Sequence, residues 1–295
     1  MSDQFDAMIL RGGESLSLST PPYHLMAIDG IGAAPATRIQ EHLAQQHGVT
    51  DYGFYLGPRR IALSVGIEAT DYATWHQRRE ALLSMLKAAD TPVTLRIESG
   101  GQTRDIACYY SADLDMAPGQ LATWQQATVE LVAPDPLWHE PNDGVAYNPV
   151  GAGIAFLDVP VSIPLHVGTR QANVSFPIAY PGTWDAYPVI YIGGPIVGPT
   201  ISNEALGLQL SLSTASIAAG DSYVIDCRWG YKTITRASDG SNRIFELDSS
   251  SDLTEFRIGA APTPVGGLNS IRLAGTGAGP LTYIAIHYPI LYVGV

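Results

Sequence analysis

The spacing of apolar residues changes period once in the first third of the chain, and that change predicts its central elements. Ile61, Leu63, Val65 and Ile67 alternate with Ala62, Ser64, Gly66 and Glu68, the pattern of a strand with one buried face. From Tyr72 the spacing becomes helical: Tyr72, Trp75, Leu82, Leu83 and Leu86 share one side, and Gln77, Arg78, Glu80 and Lys87 fall mostly elsewhere. Thr70 or Asp71 can cap the helix start through a side-chain oxygen, and Asp90 with Pro92 ends it. Val93, Leu95 and Ile97 then resume alternation, Ser99-Gly100-Gly101-Gln102 reads as a hairpin turn, and Ile106, Cys108 and Tyr110 form the return strand. Ala127, Val129, Leu131 and Ala133 make a further strand, stopped by Pro134 and Pro136. One amphipathic helix among strands predicts an α+β layer with the helix on a sheet face.

The flanks read differently. Residues 1–22 are mixed, with Leu16 and Leu18 suited to a short strand; residues 23–28 look extended, and Asp29-Gly30 is a turn signal. Residues 40–46 lack an apolar stripe, so this region is expected to be a loop ordered by contact with something else. After residue 173 no helix is expected. Short alternating runs at 189–192, 206–212, 223–227, 233–235, 244–247, 270–273 and 282–288 are separated by turns, Asp239-Gly240 being the sharpest. Such spacing predicts a β-sandwich or jelly roll. The expected layout is an N-terminal domain over 1–140, a Pro- and Gly-rich linker over 141–172, and an all-β domain over 173–295.

Composition narrows the function classes. Lys and Arg number 16 against 28 Asp and Glu, a net charge of −12 that argues against gripping nucleic-acid phosphates. Cys108 and Cys227 sit in strand patterns without redox or zinc spacing and read as small buried hydrophobes. No apolar stretch approaches the roughly 20 residues of a membrane span and no signal peptide is visible, so a soluble protein made in a cytoplasm, without membrane insertion, is expected. The histidines (His24, His42, His47, His76, His139, His166 and His287) show no ligand spacing, Asp113 and Asp115 read as a solvated turn, and Gly275, Gly277 and Gly279 read as a turn rather than a phosphate loop. No catalytic constellation, metal site or cofactor is expected.

Several words along the chain resemble the distal tail proteins (Dit) of long-tailed, siphovirus-type phages. They are Ile28-Asp29-Gly30-Ile31-Gly32, the Gln46-His47-Gly48 turn, Gly57-Pro58-Arg59-Arg60-Ile61 and Ala133-Pro134-Asp135-Pro136-Leu137-Trp138. In the second half they are Tyr187-Pro188-Val189-Ile190-Tyr191-Ile192-Gly193-Gly194-Pro195, Ile201-Ser202-Asn203, Gly220-Asp221 and Gly267-Leu268-Asn269-Ser270-Ile271. The resemblance implies a belt domain that assembles, usually as six copies, into a ring at the tail tip or baseplate, followed by a galectin-like sandwich. It implies tail tube protein and tail hub protein as partners, receptor-binding proteins or fibres as further ones, and DNA passing through the lumen without specific binding. Strands over 61–67 or 127–133 are the candidates for continuing a sheet across subunits. The competing reading is a carbohydrate-binding module for host-surface glycans, with Trp184, Tyr187, Arg228, Trp229, Tyr231 and Asn242 as candidate contacts; the same rings could instead pack a core or an interface.

Overall fold

The computed structural model describes residues 5–111, 124–150 and 171–295. The chain divides into two compact units, Met1–Pro141 with Tyr292–Val295, and Asn142–Leu291, and each has its own core. The second unit is therefore an insertion within the sequence of the first.

The first unit is built from β1 (Asp6–Arg11), β2 (Glu14–Ser17), β3 (Tyr23–Asp29), β4 (Ala36–Glu41), β5 (Thr50–Leu56), β6 (Arg59–Glu68), α1 (Tyr72–Leu86), β7 (Val93–Ser99), β8 (Gln102–Tyr110), β9 (Trp124–Ala133) and β10 (Trp138–His139). Its main sheet runs β2-β1-β7-β8-β9-β6-β3, with antiparallel neighbours throughout. The alternation in β6 places Ile61, Leu63, Val65 and Ile67 in the core, and ten residues of β6 pair with β9, from Arg59 opposite Ala133 to Glu68 opposite Trp124. Gly66 is required there because a Cβ would lie 2.3 Å from the Trp124 ring. Asp71 caps α1 by accepting from the Thr74 N–H at 2.8 Å. At the other end Arg11 donates to the carbonyls of Met85 and Lys87, both at 2.8 Å, satisfying groups the helix leaves unpaired. The helix buries Leu82, Met85 and Leu86, each stabilising by roughly 1.5–3 kcal/mol. Its N-terminal half departs from the expected stripe: Tyr72 is exposed and stacks on Trp75 at 5.4 Å.

The second unit comprises β11 (Gly144–Pro149), β12 (Gln171–Ala179), β13 (Val189–Gly193), β14 (Ile196–Asn203), β15 (Leu208–Ser211), β16 (Ser216–Ile217), β17 (Ser222–Asp226), β18 (Thr233–Arg236), β19 (Leu268–Thr276) and β20 (Tyr283–Tyr288). Two antiparallel sheets, β11-β20-β13-β17-β18 and β12-β19-β14-β15 with β16 beside β14, contribute to one core. Ile190, Ile225 and Ile286 come from the first sheet, and Ile201, Leu210 and Ile271 from the second. Residues 244–247, read as a strand from their apolar run, form a single 3-10 turn at Ile244–Glu246. β14 escaped the pattern reading because its register shifts between Val197 and Thr200, where Gly198 and Pro199 interrupt the alternation. The last strand, β21 (Leu291–Tyr292), pairs with β10 and returns the chain to the first unit. Both cysteines are buried and free, and burial pushes each thiol up to about 12. Residues 151–170 of the expected linker, and the Asp113 and Asp115 turn, lie outside the described residues.

Candidate functional site

Arg59 holds the first unit together at one point. It is 1% exposed and, among the described residues, pairs with no carboxylate. Its guanidinium donates instead to four backbone carbonyls: Nε to Pro136 (2.7 Å), Nη1 to Gly30 (2.7 Å) and Gly32 (2.6 Å), and Nη2 to Val293 (2.7 Å). The Trp138 ring centroid lies 5.8 Å from the guanidinium carbon. A buried cation is tolerated when fixed dipoles replace its water, and the fork of Arg reaches segments that a Lys point charge could not. Burial still costs something, since it lowers the Arg59 pKa. Gly30 has φ +85°, and a Cβ there would sit 2.0 Å from the Arg60 carbonyl oxygen. The last residues are tied in as well: the Val295 N–H donates to Ile31 at 3.0 Å, and Arg104 donates to the Gly294 carbonyl while its guanidinium lies 4.0 Å from the Tyr292 ring centroid. Three words singled out in the sequence, around 28–32, 57–61 and 133–138, thus meet at a single knot.

The knot pins both roots of an arm. Gly30 and Gly32 precede β4, and Arg59 follows β5. These two strands form a two-stranded sheet of their own, closed at the base by the Gly57 N–H donating to the Pro35 carbonyl at 2.8 Å. Arg38 donates to Asp51 at 2.5 Å, the Tyr52 hydroxyl to Glu41 at 3.2 Å, and Gln46 to Thr50 at 3.0 Å near the tip. All residues of β4 are exposed, and the arm presents Ile39, Leu43, Val49, Tyr52, Phe54 and Tyr55 to solvent. A lone hairpin is marginal in water, and a concentration of exposed apolar side chains marks a contact surface. The loop expected over 40–46 is found from residue 42 on, joining the two strands, while residues 40 and 41 belong to β4, whose cross-strand hydrogen bonds need no buried face. The expectation for 61–67 is corrected: β6 cannot extend a sheet into a neighbour, since β3 and β9 occupy its two edges. Along 127–133, among the described residues, β9 has β6 on one side and, on the other, β8 only opposite Leu131 and Val132. The ends of the main sheet are β2 and β3.

The second unit gathers four of the six candidate glycan residues at the turn after β17. Tyr187 and Trp229 meet edge to face with centroids 5.4 Å apart, and the Arg228 guanidinium lies 4.5 Å from the Tyr231 centroid. Arg228 is held by Asp226 through Nε (3.0 and 3.2 Å) and Nη2 (2.7 Å). Burial works to raise the Asp226 carboxyl, but the Arg228 bonds outweigh it and hold the group below the usual carboxylate range. Trp184 is placed elsewhere in the strand network, its backbone N–H donating to the Leu291 carbonyl at 3.2 Å, and the Asn242 side chain accepts from the Ile244 backbone N–H at 2.9 Å. Sequence reading missed Lys232, whose ammonium lies 4.5 Å from the Tyr187 centroid and 5.1 Å from that of Trp229. The residue follows a Gly-containing aromatic run, which is the one signal that could have found it.

Among the described residues no group of three or more His, Cys, Asp or Glu side chains could hold a metal ion. Comparison with curated proteins returns no match. Residues 14–133 match the family model described as the phage tail protein RIFT-related domain. Among solved structures, the Dit protein of phage SPP1, described as a paradigm of the hub adsorption apparatus in phages infecting Gram-positive hosts, aligns with a TM-score of 0.63 at 13% identity, covering 96% of this chain and 98% of that one. The phage P2 baseplate in its activated conformation with Ca aligns at 9% identity and a TM-score of 0.45, over 96% and 97% of the two chains. Residues 14–133 thus match a phage tail protein domain family, and the chain as a whole is similar in fold to the SPP1 Dit protein.

Proposed function

We propose that this chain is a structural ring subunit of a phage tail tip. Copies of the first unit close into a ring, six being the number the family resemblance implies, that joins the tail tube protein to the tail hub protein. The second unit, a galectin-like sandwich, serves as an attachment platform for receptor-binding proteins or fibres. The chain would be made in the host cytoplasm and end in the virion tail tip, with no turnover of any substrate. The observation that carries this reading is the arm. A ring built from one chain needs two different patches per subunit that meet head to tail. A hairpin with six exposed apolar side chains, rooted in a rigid knot, suits one patch; the sheet ends β2 and β3 suit the other. The net charge of −12 fits a conduit whose wall repels DNA phosphates.

Light scattering combined with negative-stain class averages tests the reading. The wild-type chain should form a closed ring at micromolar concentration or on addition of the tube protein. Tyr52→Ser with Phe54→Ser should weaken each subunit contact by at least tenfold, given about 1.5–3 kcal/mol for burying one large apolar side chain. Because both rings are exposed in the single chain, its melting temperature should not move. A chain that stays solitary at high concentration with tube and hub proteins present, or a ring that survives loss of the arm, overturns the proposal.

A further inference from the structure

We infer that the turn after β17 is a saccharide-binding platform, taking the flat face of a pyranose ring on Trp229 and Tyr231. Trp229 is 68% exposed and Tyr231 is 61% exposed, yet neither ring is loose. Trp229 rests edge to face on half-buried Tyr187 and has the Lys232 ammonium over its ring; Tyr231 has the Arg228 guanidinium over its ring. Each ring therefore has a cation close to it while most of its surface stays in water.

The fixing groups are themselves pinned. Lys232 donates to the carbonyls of Cys227 (2.6 Å), Leu253 (3.2 Å) and Thr254 (2.9 Å). It adopts φ +45°, a backbone conformation uncommon for a residue with a Cβ and tolerated where surrounding structure demands it. Asp226, itself buried, holds Arg228 by two nitrogens, and Arg228 Nη1 has no partner among the described residues. The turn spends hydrogen bonds to keep two large rings exposed in fixed orientation. Burial elsewhere would be the cheaper fate of a Trp and a Tyr.

Size and polarity choose the ligand. Two aromatic rings offer about 300–500 Å² at most, short of the roughly 800 Å² that a stable protein partner covers. That area matches one or two sugar rings. Around the aromatics stand Asp226, Arg228, Lys232 and, beside Tyr187, Asp185, Glu255 and Arg257. Charges of both signs suit hydroxyl groups, which donate and accept, better than they suit an apolar peptide. Arg228 Nη1 is the donor left for a ring hydroxyl. This inference does not depend on the ring, because a single chain carries the whole platform.

Saturation-transfer difference NMR on the full chain tests it, with the methyl glycosides of glucose, galactose, rhamnose and N-acetylglucosamine as probes, together with a bacterial glycan array. At least one probe should bind with transfer concentrated on the C–H groups of one ring face. Trp229→Ala should lower that affinity at least tenfold, Trp229→Phe should restore part of it, and Tyr231→Ala should weaken it less than Trp229→Ala. Melting temperature and oligomeric state should stay as in wild type, which separates loss of this site from loss of the ring. Absence of binding to every probe and array glycan, binding that Trp229→Ala leaves unchanged, or a Trp229-dependent contact only with another tail protein overturns the inference.

Discussion

The two units solve the same problem with different chemistry. Each must tie loops from distant parts of its chain onto a β core. The first uses a buried cation, Arg59, donating to four carbonyls on segments near residues 30, 136 and 293. The second uses neutral amides: Asn269 donates to Gly259 (2.9 Å) and Gly267 (3.0 Å) and accepts from the Gly259 N–H (2.8 Å), while Asn203 donates to Asn269 (2.9 Å) and to the Arg257 carbonyl (3.0 Å). A charged knot reaches further and costs more to desolvate; an amide knot is cheap but local. The unit that roots the arm is the one with the far-reaching knot, which fits a frame that must resist being pulled at one end.

Arg59→Met should break this comparison most sharply. It leaves four carbonyls without their donor, that of Pro136 buried and those of Gly30, Gly32 and Val293 partly so, and should cost about 3–5 kcal/mol. Each unit holds one thiol, Cys108 in the first and Cys227 in the second, so thiol labelling during mild denaturation reads the units separately. In the variant Cys108 should label at much lower urea than in wild type, while Cys227 keeps its wild-type midpoint. Arg59→Lys should fall between, since an ammonium keeps the charge but not the fork. Equal loss of protection at both thiols would mean that the knot does not belong to one unit.

Asn269→Leu is the mirror experiment, with a smaller effect. The Gly259 carbonyl and N–H lose their Asn269 partners and the Asn203 amide loses one of its two acceptors, while the Gly267 carbonyl keeps the Tyr180 N–H; the cost should be about 2–3 kcal/mol, and Cys227 should now label first. Gly30→Ala should lie below both, provided that the loop can relax: the substituted residue must leave φ +85° or push the Arg60 carbonyl away, and Cys108 should again be the thiol that responds.

Neither knot can be read from pattern alone, although their parts can. Alternation located β6, β7, β8 and β9 because each has one buried face, and the period change located α1. The residues of the Arg59 knot were visible as family words, but not as one place, since nothing in Arg59-Arg60 says which side chain turns inward; β6 decides that by putting Arg59 on the core face with Ile61. The arm was illegible for the opposite reason. β4 has no buried face, so its residues carry no period to detect. In the second unit, Tyr187, Arg228, Trp229 and Tyr231 could be named from residue type, whereas their gathering depends on the turn after β17, and Lys232 offered only the glycine two residues before it. Residue type survives into sequence reading; convergence of distant loops does not.

Acid should separate the units by the smallest margin. In the second unit Asp221, Asp226, Asp239, Asp248 and Asp252 all have carboxyls held below the usual range, whereas in the first unit the described residues so affected are Asp71 and Asp135. For Asp221 burial acts to raise the group, and bonds from Arg236, Ser222 and Ser238 outweigh it; for Asp248 the hydroxyls of Ser211 and Ser213 lead. A folded-state value below the unfolded value of about 3.9 stabilises fully above that pH and is lost as pH falls through the folded value. The second unit carries more of these groups, so it should weaken first below about pH 4, although each exposed pair contributes little. Pepsin, active in that range, offers the readout. Between pH 4 and pH 2 its first cuts within strands should fall in β12 to β20, and first cuts in β1 to β9 would show that the carboxylate bonds are not what distinguishes the two units.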